Sequence, residues 1–327
     1  MSREAVAEAI RGANRITVIC HENPDADTLG SALALRMAAE RLGKQAEVVA
    51  ADAVPPALMW LPNAAGVRTT PGLEPDIALV TDGPPSRTGA IARDCAEWLG
   101  RTSIVNVDHH VSNDGGESAV AWVDAEAAAT CEMVALLIPD LDVEISADIA
   151  TALLAGIVQD THTFAHPNAT PRTLRVAAEL IAAGAPLSAI HRAIYADKPF
   201  STLALWGRIL AGAAERRDGR IVFAVMTAAM LQETRTEPVA SEGFIDLLAS
   251  TKAADVTLLF KEANARETRV SVRTSARADA VAVTSAFGGG GHARAAGCTV
   301  QAPLDDAMRL VLEECERELD RADARGR

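Results

Sequence analysis

The sequence predicts an α/β protein: an N-terminal parallel-sheet domain with helices on both faces, followed by a smaller α/β C-terminal domain. Short apolar runs alternate with helix-length stretches through the first hundred residues, the pattern of a parallel sheet covered by helices. The pattern then turns largely helical from Ala125 to about Gly184, and becomes β-rich after the turn Arg216-Arg217-Asp218-Gly219-Arg220. These shifts place the first domain at residues 1–190, a helical linker at 191–216 and the second domain at 217–327.

In order, the strand-like segments of the first half are Arg15 to Cys20, Ala46 to Ala51, Ile77 to Thr81 and Ser103 to Val107. Between them lie a helix from about Thr28 to Leu42 and a helical stretch from Ala90 to Leu99. Leu29, Leu33 and Met37 share one helical face, Asp27 or Thr28 is the expected cap, and Gly43 the expected stop. Ala147 to Val158 and Thr170 to Ala183 are the clearest later helices, and helical character continues through Ser201 to Glu215. Strands are expected at Ile221 to Met226, Asp255 to Phe260 and Thr268 to Thr274. A helix near Asp279 to Phe287, a glycine tetrad and an amphipathic helix from Leu304 to Arg321 follow.

With 327 residues the chain needs no covalent staples to build a core. Its five cysteines are scattered, with no paired spacing for a disulfide framework or thiolate zinc, and fit a reducing cytoplasm. No run of about 18 apolar residues suggests a membrane span. A net charge of −13 argues against broad adhesion to long nucleic acid, so an anionic substrate must be met locally. Lys261 to Val300 is the local exception, with six basic residues against three acidic ones.

Chemistry-bearing residues sit just beyond the strand ends. His21-Glu22-Asn23-Pro24-Asp25-Ala26-Asp27 follows the first strand, and Pro24 keeps Asn23 out of helical conformation. Asp25 and Asp27 either supply one carboxylate to each of two metals or serve as turn and capping residues. Asp82 ends the run from Ile77 and precedes Gly83, where a bridging carboxylate and a plain turn aspartate are both consistent. Asp108-His109-His110 ends the Ser103 to Val107 strand, and Asp160 follows Leu153 to Val158. Six of the seven histidines fall in these segments, near Asp160, or in the glycine tetrad; His191 alone has no motif. His21, Asp25, Asp27, Asp82, His109 and Asp160 form an oxygen-rich donor set with two nitrogens. Such a set favours manganese, with magnesium or cobalt possible, over structural zinc.

These motifs, in this order, resemble the DHH phosphoesterase family. The resemblance extends through Ser271-Val272-Arg273-Thr274 and Gly288-Gly289-Gly290-Gly291-His292-Ala293-Arg294, which look like its DHH-associated C-terminal domain. It implies two Mn²⁺ per chain, one held by His21, Asp25 and Asp82, the other by Asp27, Asp82, His109 and Asp160. His110 then faces the scissile phosphate, and Asp108 orients an imidazole. The segment with Arg273, Gly289, Gly290, Gly291, His292 and Arg294 would bind a terminal phosphate or carboxylate.

Within the family the compact two-domain plan is most similar to the nanoRNase and pAp phosphatase group. That implies hydrolysis of short oligoribonucleotides or of the 3′-phosphate of pAp by a metal-bridged hydroxide, in a homodimer. The alternatives are a cyclic-dinucleotide phosphodiesterase, an inorganic pyrophosphatase and, more remotely, a non-catalytic nucleotide-binding regulator. One departure stands out: Asp160-Thr161-His162-Thr163-Phe164 carries an imidazole where the small stand-alone members often have glycine. His162 either points away or adds a contact beside the second metal.

Overall fold

The computed structural model describes residues 2–325, except the side chain of His292. The chain divides into two compact units, Met1–Asp197 and Lys198–Arg327. The helix Phe200–Ala211 belongs to the second, where Leu205 and Ile209 are buried in its core.

The first unit is built on a five-stranded sheet of β1 (Arg15–Ile19), β2 (Gln45–Val49), β3 (Ile77–Thr81), β4 (Ser103–Asp108) and β5 (Val120–Val123), in the order β2-β1-β3-β4-β5. Every pairing is parallel. Alternation along the strands serves both faces. Ile77, Leu79, Val105 and Val107 enter the main core with Leu29, Leu33, Leu153 and Leu154 of the helices Ala26–Arg41 and Ala147–Asp160. Ala78 and Val80 turn the other way, onto Ile91 and Leu99 of two short helices. The order reverses between β1 and β3, the switch point beyond whose strand ends open α/β sheets bind ligands.

Two elements here went unforeseen. The helix Arg3–Gly12 buries only Val6, Ala7 and Ile10, and β5 is a four-residue edge strand of mixed burial. The strand is a weak periodic signal, whereas the helix places its three buried residues on one face.

The second unit carries a six-stranded mixed sheet, order β10-β11-β9-β8-β7-β6. Its strands are β6 (Ala214–Arg216), β7 (Ile221–Met226), β8 (Val256–Asn264), β9 (Glu267–Thr274), β10 (Gly290–His292) and β11 (Ala295–Val300). Only β7 and β8 pair in parallel. Along β7, Ile221 and Phe223 face the helix Leu304–Arg325, whereas Val222, Ala224 and Met226 face Leu205, Phe244 and Leu248. Residues 214 and 215, expected in a helix, pair instead with β7. The glycine tetrad is half a hairpin: a Cβ on Gly289 would lie 2.3 Å from the Gly297 carbonyl oxygen, and one on Gly291 2.5 Å from that of Ala295. Glycine is required there by close backbone approach.

Candidate metal centre

Asp82 lies at the centre of the first unit's polar cluster. It follows β3 in the left-handed region, with φ 63°, a conformation aspartate tolerates better than most residues, and it is buried. Its two carboxylate oxygens serve different neighbours. Oδ2 lies 3.3 Å from His21 Nε2, while Oδ1 lies 3.4 Å from His109 Nε2 and accepts a 3.1 Å hydrogen bond from Thr130 Oγ1.

On the His21 side, Asp25 Oδ1 is 3.7 Å from the ring. Asp25 rather than Asp27 or Thr28 is the N-cap of Ala26–Arg41: its carboxylate accepts from the backbone N–H groups of Asp27 and Thr28 at 3.0 and 3.1 Å. Capping and clustering are therefore done by one side chain, because the helix begins where the β1 loop ends.

On the His109 side, Nε2 lies 3.3 Å from Asp160 and 3.9 Å from Asp27. Asp27 is fully buried and accepts from the backbone N–H groups of Thr130 and Cys131 at 2.7 and 2.8 Å. Those residues open the helix Thr130–Leu137, whose own N-cap, Ala129, has no side chain to offer, so Asp27 caps it from another helix.

Both imidazoles are held by the nitrogen facing away from the cluster. His21 Nδ1 donates to the Glu22 carbonyl at 2.7 Å and His109 Nδ1 to the Ala127 carbonyl at 3.3 Å. Each Nε2 is thereby aimed at the carboxylates, the arrangement in which a neutral imidazole offers its lone pair to a metal. His110 is held differently. Its Nδ1 donates to buried Asp108 at 2.7 Å, and Asp108 accepts on its other oxygen from Asn113 at 2.7 Å. Asn113 in turn donates to Asn106, whose amide donates to the Val80 and Gly83 carbonyls.

The electrostatics mark a surplus of negative charge. Burial disfavours a charged imidazole at His21 and at His109. Asp25 and Asp82 for the first, and Asp82, Asp27 and Asp160 for the second, nonetheless raise each to about 10. Burial and then the Asp82 charge push Asp27 up to about 7, and burial with the charges of Asp27, Asp82 and Asp25 raises Asp160 well above the carboxylate range. Asp82 is driven the other way. Burial opposes its ionisation, but His109 and His21 outweigh that and lower it. Asp108 is likewise lowered, burial being overcome by His110 and Asn113.

The six expected ligand positions come together in two groups, His21 with Asp25 and Asp82, and Asp27 with His109 and Asp160, the candidate atoms of each lying within 4.8 Å of one another. A third grouping substitutes His110 for the other partners of Asp82 and His109. Thr130 and Gly156 were not anticipated. A Cβ on Gly156 would lie 2.6 Å from Asp27 Oδ1 and 2.4 Å from Cys131 Sγ, so this mid-helix glycine lets Ala147–Asp160 approach. Its place in the apolar run from Leu153 was the available signal, since a helix-interior glycine usually has a packing reason.

The second unit holds the remaining candidates. Arg273, on β9, pairs with Asp246 at 2.8 Å. Arg294 Nη1 donates to the carbonyls of Ser275 and Ala278, so this guanidinium braces a loop. Gly290 has open space where a Cβ would stand. The His292 side chain lies outside the described residues.

Sequence comparison matches residues 15–157 to the DHH family N-terminal domain and residues 218–320 to the DHHA1 domain. The chain is also 34% identical, over 97% of its length and 93% of the relative's, to the bifunctional oligoribonuclease and PAP phosphatase NrnA of Thermus thermophilus. The chain belongs to the DHH family. This DHH protein is also similar to the cyclic-di-AMP phosphodiesterase PdeA of Listeria monocytogenes, 25% identical over 88% of the chain and 45% of that protein. Its fold matches the crystal structure of an exopolyphosphatase-related protein from Bacteroides fragilis, with TM-score 0.89, 20% identity, and coverage of 98% and 97% of the two chains.

A divalent metal, which the family implies, suits the donors of this DHH protein. Four carboxylates and two imidazoles with Nε2 turned inward converge in a partly buried space, and burial together with the neighbouring carboxylates pushes two of them toward protonation. Cations would relieve that strain.

Proposed function

We propose that this chain is a manganese-dependent phosphoesterase that hydrolyses short oligoribonucleotides, linear dinucleotides, or the 3′-phosphate of pAp. The observation that carries the reading is Asp82, buried, with one oxygen toward His21 and the other toward His109. In this reading His21, Asp25 and Asp82 hold one ion, and Asp27, Asp82, His109 and Asp160 hold the second. Two such cations would supply charge stabilisation for the phosphoryl oxygens and activation of water at neutral pH.

The chain's own groups do the rest. Asp108 fixes the His110 proton on Nδ1, leaving Nε2 to face the phosphate, stabilise its charge or hand a proton to the leaving oxygen. Arg273, the Gly289 to Gly291 backbone, His292 and Arg294 are proposed to bind a terminal phosphate, although Arg294 also braces its own loop. The 34% identity to an oligoribonuclease and PAP phosphatase across nearly the whole chain supports the substrate class. Among the described residues no single helix is long and apolar enough to cross a membrane. We propose a cytoplasmic homodimer, which light scattering checks.

A Mn²⁺ series comparing pAp, pApA, a short RNA, cyclic di-AMP and pyrophosphate tests the reading. It expects the linear ribonucleotides or pAp to be the best substrates. Pyrophosphate as the best would overturn it, and metal binding without cleavage of any ester would favour a nucleotide-binding regulator.

A further inference from the structure

Beyond Asp160 the chain passes through three consecutive left-handed residues, His162, Thr163 and Phe164, with φ 48, 54 and 64°. None is glycine, the residue that adopts this conformation at least cost. The tight turn lays the exposed His162 and His166 rings on one another, with planes 16° apart and centroids at 5.2 Å. His162 is therefore one layer of a stack.

Tyr195 backs that layer at 4.5 Å, and its hydroxyl donates to the Gln159 carbonyl at 2.9 Å. His191, which carried no motif, is hydrogen-bonded through Nδ1 to Thr163 Oγ1 at 2.8 Å and lies 5.6 Å from the Tyr195 ring. Tyr195 sits in a π-helical turn, Arg192–Ala196, a rare geometry that recurs at functional sites. The stack is tethered to the metal centre, since His166 Nδ1 reaches the Asp160 carbonyl oxygen at 3.4 Å and the Asp160 carboxylate lies 3.3 Å from His109.

We infer that the His162–His166 pair is a nucleobase platform beside the scissile phosphate. The inference rests on the proposed nucleotide substrate and deepens it. Flat rings kept exposed at the rim of a phosphoesterase centre suit the π-face common to every base, so the platform favours nucleotides over baseless esters with little preference among bases. Tyr195, His191 and Thr163 hold it in place.

The test uses the full chain loaded with Mn²⁺. Equilibrium binding is measured for a methylenephosphonate-linked adenosine dinucleotide and for an abasic dinucleotide, alongside hydrolysis of pApA and of pAp. His162→Gly removes the ring while suiting the left-handed backbone, so the fold is retained. It should weaken binding of the adenosine dinucleotide about tenfold and leave the abasic one unchanged. His162→Phe should restore affinity, and His166→Ala should repeat the loss. Equal dinucleotide affinity in wild type and His162→Gly, or an equal loss for the abasic compound, overturns the platform. Selective loss of binding in a protein that hydrolyses neither pApA nor pAp would sink the hydrolase reading and leave the platform standing; hydrolysis with unchanged binding does the reverse.

Discussion

The two units cover a sheet on both faces yet offer chemistry in opposite ways. In the first, parallel strands β1, β3 and β4 all end at one rim, so side chains from separate loops converge and can be buried as mutually supporting charges. Asp27, Asp82 and Asp108 are nearly or fully buried there. In the second, the mixed sheet ends in the β10–β11 hairpin, an exposed edge where a Cβ on Gly290 would meet no other atom. A parallel sheet gathers side chains at one rim, and an open edge leaves backbone amides uncovered. Substitutions should therefore act through charge in the first unit and through backbone space in the second.

The largest effect is expected from Asp82→Asn, which removes the charge shared by both groups. Phosphoester turnover should fall more than about a thousandfold, while thermal unfolding stays cooperative. Asp108→Asn comes next. It disturbs the His110 tautomer without touching the six clustered ligands, so kcat should drop about 10- to 100-fold with metal affinity retained; an unchanged kcat would remove His110 from the chemistry.

Metal uptake should also be pH-dependent. In the metal-free protein His21 and His109 are raised to about 10 and Asp27 to about 7, so at neutral pH protons occupy atoms a cation needs. Binding must release them, and affinity must rise with pH from below 7 toward 10. Calorimetry in buffers of different ionisation enthalpy reads the released protons directly, and their absence would contradict the cluster's electrostatics.

Smaller effects separate backbone space from charge. Gly291→Ala forces a Cβ to 2.5 Å from the Ala295 carbonyl oxygen at φ 142° and should cost about 1–3 kcal/mol in chemical denaturation, whereas Gly290→Ala should be nearly neutral for stability. Gly156→Ala should resemble Gly291→Ala in stability and also weaken metal binding, because its Cβ would press on Asp27.

Legibility in the sequence followed the same divide. β1, β3 and β4 are buried apolar runs ending near acids and histidines, and each could be read directly, together with the residues that cluster at their ends. The supports could not. Thr130 as donor to Asp82 and Gly156 as clearance for Asp27 depend on contacts between segments far apart in the chain, whereas the Asp25 cap is a local contact that the sequence offers as one of two roles. β10 and β11 were hidden because glycine and alanine carry no strand periodicity, and the short helices Ala228–Thr234 and Phe244–Ala249 are too brief to show a face. His162 was visible as a departure, but its stacking on His166 follows from three left-handed residues that sequence pattern does not announce.

The central claim is that Asp82 joins two metal groups, and metal stoichiometry tests it most directly. Equilibrium dialysis against Mn²⁺ should give two tight ions for the wild type, one for Asp25→Asn and none held tightly by Asp82→Asn. Two ions retained by Asp82→Asn at unchanged affinity would contradict the account.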